Sequence, residues 1–576
     1  MKILLLTHTF NCLCQRVFLE LERCGHQVSI EFDIEDSVLQ EALDLFAPNL
    51  IIAPFLKRAI PASVWSKIPC IIIHPGIVGD KGPSSLDWAI LNGEPTWGVT
   101  ALQASASMDG GDVWAHTEFV MREGTKSSLY RNEVTDAAVK LVHEVVFKAQ
   151  DPLFRATPLV EFGETRGCER PLMKQKDRAI VWERDTAQTV LRKVRSGDGS
   201  PGVLSSLAGR DCYLFGAFAE QKLRGHPGEI LATRDGAVCV ACLDGAVWIT
   251  HLQERRPELK MNREAPGRGI KLPAVDVLKS ADSKSVALES VPEFSAPFEK
   301  QHGTWQEICV EKCGDAAYLF FEFSNGAMSV AQSNRLRAAF CRCCEMGVRV
   351  VVLMGGRDFW SNGIHLNQIE SAASAADASW ENIRGMNCVA REILEATNVV
   401  TVAALRGNVG SGGCFLALAC DYVWAREGVV LNPHYKNMGN LYGSEYWTYV
   451  LPRRMGMEQG KNLMRRRLPV SATEAKELKF LDDVLPGDHV AFCDELQRRV
   501  QDLMSDDYFE TFVADKKAMR AADEAQKPLD AYEREELEHM RRNFYGFDPS
   551  YHVARYNFVF KIPHSRTPLY LAKHRC

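Results

Sequence analysis

Residues 401–421 have the sequence TVAALRGNVGSGGCFLALACD, and the second half of the chain is organised around them. The apolar run Val399–Leu405 predicts a buried strand, and the apolar residues that follow Gly413 predict the start of a helix. Four glycines lie within seven residues between these elements, at positions 407, 410, 412 and 413. Backbone N–H groups at such a helix start can stabilise an oxyanion, although glycine there is equally explained by close packing or a positive φ.

The composition predicts an ordinary globular protein of several domains. With 576 residues the chain is too long for one hydrophobic core, and we expect about three domains. A net charge of −6 argues against a general nucleic-acid-binding protein, and no apolar run reaches the length of a transmembrane helix. The 18 cysteines favour a reducing compartment, and the two C-x-x-C pairs lie in different predicted domains. We therefore expect a cytoplasmic protein that binds no nucleic acid, membrane or metal ion.

Residues 1–150 alternate strands and helices, which predicts βαβ units and a parallel sheet. Ligands of such sheets bind at the carboxyl ends of the strands. His74 directly follows the apolar strand Cys70–Ile73, and Asp109 lies in a turn after the predicted strand Gly98–Gln103. These two side chains can form an acid–base pair for transfer to or from an amine. Each of them alone is also explained as a turn residue.

The same region resembles the formyltransferases that use 10-formyltetrahydrofolate. The matching residues are His74-Pro75, Gly82, Ala89-Ile90-Leu91-Asn92-Gly93, Gly98-Val99-Thr100 and Asp109-Gly110-Gly111. The resemblance implies that His74 holds or polarises the formyl group, that Asp109 steers proton transfer and that Gly82 belongs to the folate site.

One residue departs from the formyltransferase pattern. Ile72 stands where the family has an asparagine whose side chain donates a hydrogen bond to the formyl oxygen. Because isoleucine has no polar group, another donor is needed if the same chemistry is kept. The loop Gly79–Gly82, with Lys81 in it, is a candidate replacement.

Short strands separated by turns dominate residues 176–272, which predicts a small barrel. This segment resembles the C-terminal domain of methionyl-tRNA formyltransferases, on Ile180-Val181-Trp182 among others. Residues 281–298 are rich in Ser, Pro and Ala without a period and predict a linker.

A second α/β pattern begins at Ile308. The largely apolar strand Val348–Met354 leads into the loop GGRDFWSNGIHL, and the glycine turn at 407–413 follows later in the chain. Two glycine-bearing turns, each after an apolar strand, fit one site with two backbone donors, and this pair resembles the crotonase (enoyl-CoA hydratase/isomerase) superfamily. The resemblance implies that the N–H groups of Ile364 and Gly412 hold a thioester carbonyl. It places the coenzyme A site around Ser361, Asn362, Gly363 and Gly413.

The departures from the crotonase pattern concern the catalytic carboxylates. Phe415 stands where the hydratases of the family carry a glutamate, and this argues against water addition by paired carboxylates. Tyr442 and Glu445 are three residues apart and would share one face of a helix. We expect this pair to carry a different proton transfer, the alternative being that both residues only line a wall of the site.

A formyl-folate domain joined to a crotonase-like domain resembles the HoxX family of hydrogenase maturation proteins, over nearly the whole chain. That resemblance implies synthesis of carbon monoxide (CO). A formyl group would pass from 10-formyltetrahydrofolate to coenzyme A, and formyl-CoA would then be decarbonylated to give the CO ligand of NiFe-hydrogenase. The domains expected are 1–165 (formyltransferase-like), 166–280 (barrel-like), 281–300 (linker), 301–545 (crotonase-like) and 546–576 (a C-terminal docking segment).

Three other functions fit the same residues. The second half could be a conventional enoyl-CoA hydratase or isomerase, against which Phe415 argues. The first half could formylate an amine, against which Ile72 argues. The chain could also be a non-catalytic assembly factor that binds folate and coenzyme A, which the presence of His74 and Asp109 disfavours.

Overall fold

The structure is a computed structural model that describes residues 1–261, 265–279, 291–294 and 297–576. The chain divides into two compact units. The first contains Met1–Pro257, Pro273–Glu293 and Pro563–Cys576, and the second contains Glu258–Leu272 and Phe294–Ile562. The first unit thus holds the first formyltransferase-like segment, most of the second one and the last 14 residues of the chain. The predicted linker 281–300 lies outside the described residues, apart from 291–294 and 297–300.

The first unit begins with a six-stranded sheet. Its strands are β1 (Lys2–Thr7), β2 (Gln27–Phe32), β3 (Leu50–Phe55), β4 (Cys70–His74), β5 (Thr96–Gln103) and β6 (Val113–Val120). They lie in the order β2-β1-β3-β4-β5-β6. The first four are parallel, whereas β5 and β6 run antiparallel to their neighbours, so the sheet is mixed rather than wholly parallel. The helices of this part are α1 (Cys12–Arg23), α2 (Asp36–Phe46), α3 (Ala62–Trp65), α4 (Ser85–Asn92), α5 (Lys126–Leu129), a π-helical turn at Tyr130–Val134 and α6 (Thr135–Lys148).

A second, largely antiparallel sheet follows. It is preceded along the chain by two short 3₁₀ turns, at Leu159–Phe162 and Gln175–Arg178, and by the helix α7 (Ala187–Ser196). The helix α8 (Ala274–Lys279) follows its last strand. Its strands are β7 (Val203–Leu207), β8 (Arg210–Glu220), β9 (Ile230–Arg234), β10 (Ala237–Ala241), β11 (Ala246–Met261), β12 (Ala265–Arg268) and β13 (Leu272–Pro273). The order is β7-β8-β11-β10-β9, with β12 and β13 also paired to β11. Among the described residues the end strands do not pair, so the segment predicted as a barrel is a sheet with open ends.

The strands that follow residue 294 all belong to the second unit. They are β14 (Ile308–Cys313), β15 (Ala316–Phe321), β16 (Ala327–Met328), β17 (Val350–Leu353), β18 (Phe359–Ser361), β19 (Gly363–Ile364), β20 (Val400–Leu405), β21 (Asn408–Gly410), β22 (Tyr422–Arg426), β23 (Val430–Asn432), β24 (Val470–Ser471) and β25 (Asp483–Leu485). The main sheet has the order β14-β15-β17-β20-β22-β25, and a small sheet has the order β18-β21-β23-β24.

Helices cover these sheets. They are α9 (Val330–Glu345), α10 (Leu366–Ser371), α11 (Ala375–Glu395), α12 (Gly412–Leu418), α13 (Trp447–Met455), α14 (Met457–Arg465), α15 (Ala472–Glu477), α16 (His489–Leu503), α17 (Asp506–Gln526), α18 (Leu529–Tyr545) and α19 (Ser550–Val559). Short 3₁₀ turns lie at Ser324–Gly326 and Lys573–Arg575. In the described part of the chain, no helix combines the length and apolar character needed to span a membrane.

The two glycine loops of the second unit lie side by side because of the sheet topology. The parallel strands β17 and β20 are neighbours, so their carboxyl ends meet at one edge of the main sheet. Beyond that edge the short strands β18 and β21 pair in parallel, with Ser361 opposite Val409. The loop after β18 and the turn after β21 are therefore held next to each other.

The end of the chain lies along the first sheet. The N–H of Ile30, on the edge strand β2, donates a hydrogen bond to the carbonyl of Leu571 at 3.1 Å. Glu31 is fully buried and accepts from Arg575 at 2.5 Å, and it lies 3.1 Å from His574 Nε2. The last residues thus cover a strand edge that would otherwise expose unpaired backbone groups.

Candidate active sites

The first site surrounds His74 in the first unit. His74 is buried at the end of β4, and Asp109 lies in the turn between β5 and β6 with φ +50°. His74 Nδ1 is 3.6 Å from Asp109 Oδ2, as the sequence predicted for an acid–base pair. On the other side of the ring, His74 Nε2 is 3.2 Å from Asp80 Oδ1. The imidazole therefore lies between two carboxylates, which fit a ring that carries or passes on a proton.

The loop 79–82 contributes a carboxylate to this site. Asp80 is fully buried, and Arg170 donates from Nε to its Oδ2 at 2.6 Å. The guanidinium of Arg170 also lies over the ring of Trp97, 5.3 Å from the centroid. Asp80 and Arg170 therefore place polar groups next to His74, whereas the side chain of Ile72 has no polar group. The sequence pointed to this loop but not to Arg170, which lies 90 residues away along the chain.

Gly82 has a local structural role. Its backbone N–H donates to Asp109 Oδ2 at 3.1 Å and thereby fixes the carboxylate that faces His74. A Cβ atom at Gly82 would lie 2.1 Å from the carbonyl oxygen of Arg170, and its φ is +111°. Both observations require glycine. Gly82 therefore positions Asp109, and its place in the folate site stays a prediction.

The second site lies where the two glycine loops of the second unit meet. Gly412 is the first residue of α12, and Ser411 before it has φ +47°. A Cβ atom added to Gly363 would lie 3.3 Å from the backbone nitrogen of Gly412, so the loop with Ser361 and Asn362 reaches the glycine turn. N–H groups in the first turn of a helix have no carbonyl partner within the helix. The turn therefore has N–H groups available for a carbonyl oxygen, and the donor roles of Gly412 and Ile364 stay predictions.

The residues next to this glycine turn are each fixed by a local contact. Gly363 N–H donates to Ser361 Oγ at 3.3 Å, and the side chain of Asn362 donates to the carbonyl of Asn325 at 2.7 Å. Ile364 lies opposite Met328 in the short pairing of β16 and β19. A Cβ atom at Gly413 would lie 2.3 Å from the Ser361 carbonyl oxygen, which explains the second glycine. Contacts of these residues with coenzyme A stay predictions.

A buried carboxylate faces the glycine turn. A Cβ atom at Gly412 would lie 2.4 Å from Glu445 Oε1, so this oxygen occupies the space that the missing side chain leaves. Tyr435 donates from its hydroxyl to Glu445 Oε2 at 2.5 Å. Oε1 is buried and has no hydrogen-bond partner among the residues that the structure describes. One oxygen of Glu445 is thus held by Tyr435, and the other is directed at the oxyanion turn.

This arrangement corrects the predicted pairing of Tyr442 with Glu445. Residues 441–446 are not helical, because Glu445 and Tyr446 have φ of +60° and +59°, and α13 begins only at Trp447. The ring of Tyr442 stacks on His539 with a centroid distance of 4.1 Å. The phenol that meets Glu445 is Tyr435, ten residues earlier in the chain.

Burial sets the proton affinities in this site. Burial raises the pKa of Glu445 to about 7, although the hydrogen bond from Tyr435 opposes the shift. Burial and the neighbouring Glu445 carboxylate raise the pKa of Tyr435 well above its ordinary value. The phenol therefore stays protonated and donates, while the carboxylate exchanges its proton near neutral pH. A carboxylate of this kind fits a general base.

Two buried residues near this turn carry no charge. Phe415 is fully buried, and its ring stacks on that of Tyr435 with a centroid distance of 5.5 Å. His365 is buried, accepts at Nδ1 from the N–H of Gln368 and has its pKa lowered to about 4, chiefly by burial. Phe415 is thus a wall for Tyr435, and His365 is a neutral cap of α10. Glu445 is the carboxylate that lies at this turn.

Comparison with known proteins matches both halves of the chain to families. A family model described as Formyl transferase matches residues 27–146, and one described as Formyl transferase, C-terminal domain, matches residues 172–265. A model described as Enoyl-CoA hydratase/isomerase matches residues 324–544. A methionyl-tRNA formyltransferase of Citrifermentans bemidjiense is 31% identical over 36% of this chain and 64% of its own length.

A relative that spans the whole chain decides the family. The hydrogenase maturation factor HoxX of Bradyrhizobium diazoefficiens is 45% identical over all of this chain and 97% of its own length. The chain belongs to the HoxX family of hydrogenase maturation factors. The crystal structure of HypX from Aquifex aeolicus in complex with tetrahydrofolic acid is 46% identical and superposes with a TM-score of 0.94, over all of this chain and 99% of that one.

These two matches confirm the family and the fold that were predicted from the sequence. A formyltransferase-like part comes first, and a crotonase-like domain follows it. In this HoxX-family chain the crotonase frame is combined with Phe415 in place of a glutamate and with a Tyr435–Glu445 pair. The sequence prediction did not assign a place in either site to Asp80 and Arg170 of the first unit or to Tyr435 of the second.

Gly443 gives a test of the Tyr435 position in this HoxX-family chain. A Cβ atom at Gly443 would lie 2.0 Å from Tyr435 Cε2, and φ is +94°. We expect Gly443→Ala to displace the phenol and to lower activity of the second unit by about 100-fold, since misplacement by about 1 Å has that order of effect. Gly456→Ala is a matched control, because Gly456 has φ +83° but no atom within 4 Å of an added Cβ. Equal losses in both variants, measured with the formyl-CoA substrate that we propose for this unit, would argue for backbone strain alone.

Proposed function

We propose that this chain makes carbon monoxide from 10-formyltetrahydrofolate through formyl-CoA and supplies it to the assembly of NiFe-hydrogenase. One observation carries the proposal. A buried carboxylate held by a phenol faces an oxyanion turn, in a crotonase frame where phenylalanine replaces the hydratase glutamate. This set of groups suits removal of one proton from a small bound thioester better than addition of water. We also propose that both steps take place in the cytoplasm.

The first step is formyl transfer at the His74 site. The sulfur of coenzyme A attacks the formyl carbon, and the bond from that carbon to N10 of the folate breaks. The nitrogen takes up the proton that the thiol gives up, so the products are tetrahydrofolate and formyl-CoA. His74 lies between Asp80 and Asp109 and can pass this proton to the leaving amine. Arg170 pairs with Asp80 beside the ring.

The donor of the formyl group is inferred from chemistry and from a relative. The structure of the HypX relative contains tetrahydrofolic acid. In this chain the groups next to His74 are two carboxylates and a glycine loop, which suit proton transfer to an amine. An amine that becomes protonated is a good leaving group. These points support a formyl-folate as the substrate of the first unit.

The second step is decarbonylation at the Glu445 site. Glu445 Oε1 accepts the formyl proton, the electron pair of the C–H bond remains on carbon, and the C–S bond breaks with its pair going to sulfur. The thiolate then takes the proton back from Glu445, so that formyl-CoA yields CO and coenzyme A with no other reactant. Tyr435 stabilises the carboxylate through Oε2 while Oε1 reacts. N–H groups at the glycine turn polarise the carbonyl.

The test uses formyl-folate labelled in the formyl group with ¹³C. The protein is incubated with it, with and without coenzyme A, and CO is trapped on reduced haemoglobin. We expect labelled CO only when coenzyme A is present, and we expect no hydration of crotonyl-CoA. CO release without coenzyme A would contradict the formyl-CoA route. Crotonyl-CoA hydration without CO would instead support a conventional hydratase.

The pH dependence of the second step follows from the pKa of Glu445. The carboxylate must be ionised to accept the formyl proton, and burial raises its pKa to about 7. Turnover of formyl-CoA should therefore rise about tenfold per pH unit below pH 7 and level off above it. An ordinary carboxylate near 4.3 would give a flat profile between pH 5.5 and 8, roughly the range to measure. A flat profile would remove Glu445 as the base.

A further inference from the structure

One face of α18 carries side chains that contact residues 442–448. Asn543 accepts a hydrogen bond from the N–H of Tyr442 at 3.0 Å, and the sulfur of Met540 lies 3.1 Å from the nitrogen of Gly443. Glu536, one turn earlier on the same face, contacts the residues that follow. Positions 536, 540 and 543 are spaced by four and three residues, so they line one stripe of the helix.

Glu536 is a fully buried carboxylate whose acceptor positions are occupied by the loop. Its Oε1 accepts from the N–H and the hydroxyl of Thr448 at 2.8 and 2.6 Å. Its Oε2 accepts from the N–H of Tyr446 at 3.0 Å and lies 3.4 Å from the hydroxyl of Ser444, which donates to Asn387 Oδ1 at 2.8 Å. Three donors, from Tyr446 and Thr448, thus converge on the carboxyl group of Glu536.

The stretch that Glu536 binds is conformationally strained. Glu445 and Tyr446 both have left-handed φ values, +60° and +59°, although neither is glycine. Such conformations persist only where surrounding contacts determine them. Glu536 contacts residues on both sides of Glu445, and Asn387 Oδ1 accepts from the N–H of Glu445 itself at 2.9 Å.

The strained backbone directs the Glu445 side chain. From this position Oε2 meets the Tyr435 hydroxyl at 2.5 Å, and Oε1 lies over Gly412. A right-handed backbone at 445 would point the side chain elsewhere, since φ and ψ fix the direction of Cα–Cβ. The contacts that hold the turn therefore decide whether the base faces the reacting carbonyl.

We propose that Glu536 is a positioning residue for the decarbonylation step: its carboxylate fixes the left-handed pair 445–446 so that Glu445 meets Tyr435 and Gly412. The inference rests on the proposed function of the second unit. Glu536 does not reach the substrate; it acts through the loop. The ionisable groups that face Glu445 are Tyr435, from the loop after β23, and Glu536, from α18. Burial also raises the pKa of Glu536, to about 8, so both carboxylates exchange protons near neutral pH.

The experiment measures CO release from formyl-CoA by full-length Glu536→Ala and Glu536→Gln across a range of roughly pH 5.5 to 9. We expect Glu536→Ala to lower kcat about 100-fold and to change KM by less than about threefold, because the turn is displaced while the thioester site remains. We expect Glu536→Gln to lose about tenfold, since its carbonyl oxygen keeps the donors on one side while its NH₂ opposes those on the other. Glu538→Gln on the exposed face of α18 is the control.

The pH profile separates positioning from a general loss of structure. When the turn opens, water reaches Glu445 and its pKa falls toward the ordinary value, so the rising limb of the profile should move to lower pH in Glu536→Ala. A lower kcat with an unmoved limb, or an unchanged kcat, would overturn the proposal. If Glu536→Ala does not fold, Glu536→Gln decides by the same two readouts.

A spectroscopic readout keeps the inference independent of the reaction. If the wild-type protein releases no CO from formyl-CoA, the proposed function fails. The positioning role is then decided by ¹³C NMR of carboxyl-labelled glutamates, in which the Glu445 resonance is the one lost in Glu445→Gln. We expect it to titrate near 7 in the wild type and closer to 4.3 in Glu536→Ala. An identical titration in both proteins would refute positioning by Glu536.

Discussion

Replacing Glu445 by glutamine is expected to lower CO release from formyl-CoA by between about 10² and 10⁴-fold, the usual contribution of a general base. Glutamine keeps the size of the side chain and can still accept from Tyr435 through its amide oxygen. It places an amide in the space over Gly412, where it cannot take up a proton. The expected signature is a large loss of kcat with little change in KM, since the thioester-binding turn remains intact.

Tyr442→Phe is the matched control for this variant. Tyr442 is the phenol that sequence spacing paired with Glu445, whereas the structure stacks its ring on His539. We expect Tyr442→Phe to stay within about threefold of the wild type, and Tyr435→Phe to lose about tenfold or more because Oε2 loses its donor. The assignment of Tyr435 would be falsified if the two phenylalanine variants had their effects reversed.

The contrast between Tyr435 and Tyr442 shows what the sequence could predict at this site. The glycine turn was predictable, because an apolar strand, four glycines and an apolar helix start are local features. The loop with Glu445 was not, because its shape depends on two left-handed residues held by Glu536 and Asn387 from helices distant in sequence. The spacing argument for Tyr442 and Glu445 assumes a regular helix, whereas tertiary contacts hold this segment in a non-helical conformation.

The first unit likewise has features that the sequence predicted and features that it did not. His74 and Asp109 were singled out because each follows an apolar strand, His74 at the end of β4 and Asp109 in the turn after β5. The antiparallel direction of β5 and β6 was not predicted, since strand runs alone carry no direction. Asp80 was in a loop already under consideration, but Arg170 meets it only through the fold.

Replacing His74 by glutamine is expected to lower formyl transfer from 10-formyltetrahydrofolate to coenzyme A by between about 10² and 10⁴-fold. The glutamine side chain can hydrogen-bond to Asp80 or Asp109 but cannot carry a proton between them and the leaving amine. Formation of tetrahydrofolate, followed by its absorbance in the presence of coenzyme A, measures this step. His116→Gln, an exposed histidine on β6, is the control and should leave the rate unchanged.

The same His74→Gln protein also tests whether the two chemical steps are separate. Supplied formyl-CoA bypasses the first step, so CO release from it should remain within about twofold of the wild type, whereas CO release from formyl-folate should fall with the transfer rate. The reverse pattern is expected of Glu445→Gln, which should keep forming tetrahydrofolate while CO release is lost. If His74→Gln lost CO release from formyl-CoA as well, one site would be serving both steps. The polar groups around Glu445, Tyr435 and Gly412 would then not suffice for decarbonylation, although the unpartnered Oε1 over the glycine turn is the geometry that such a step requires.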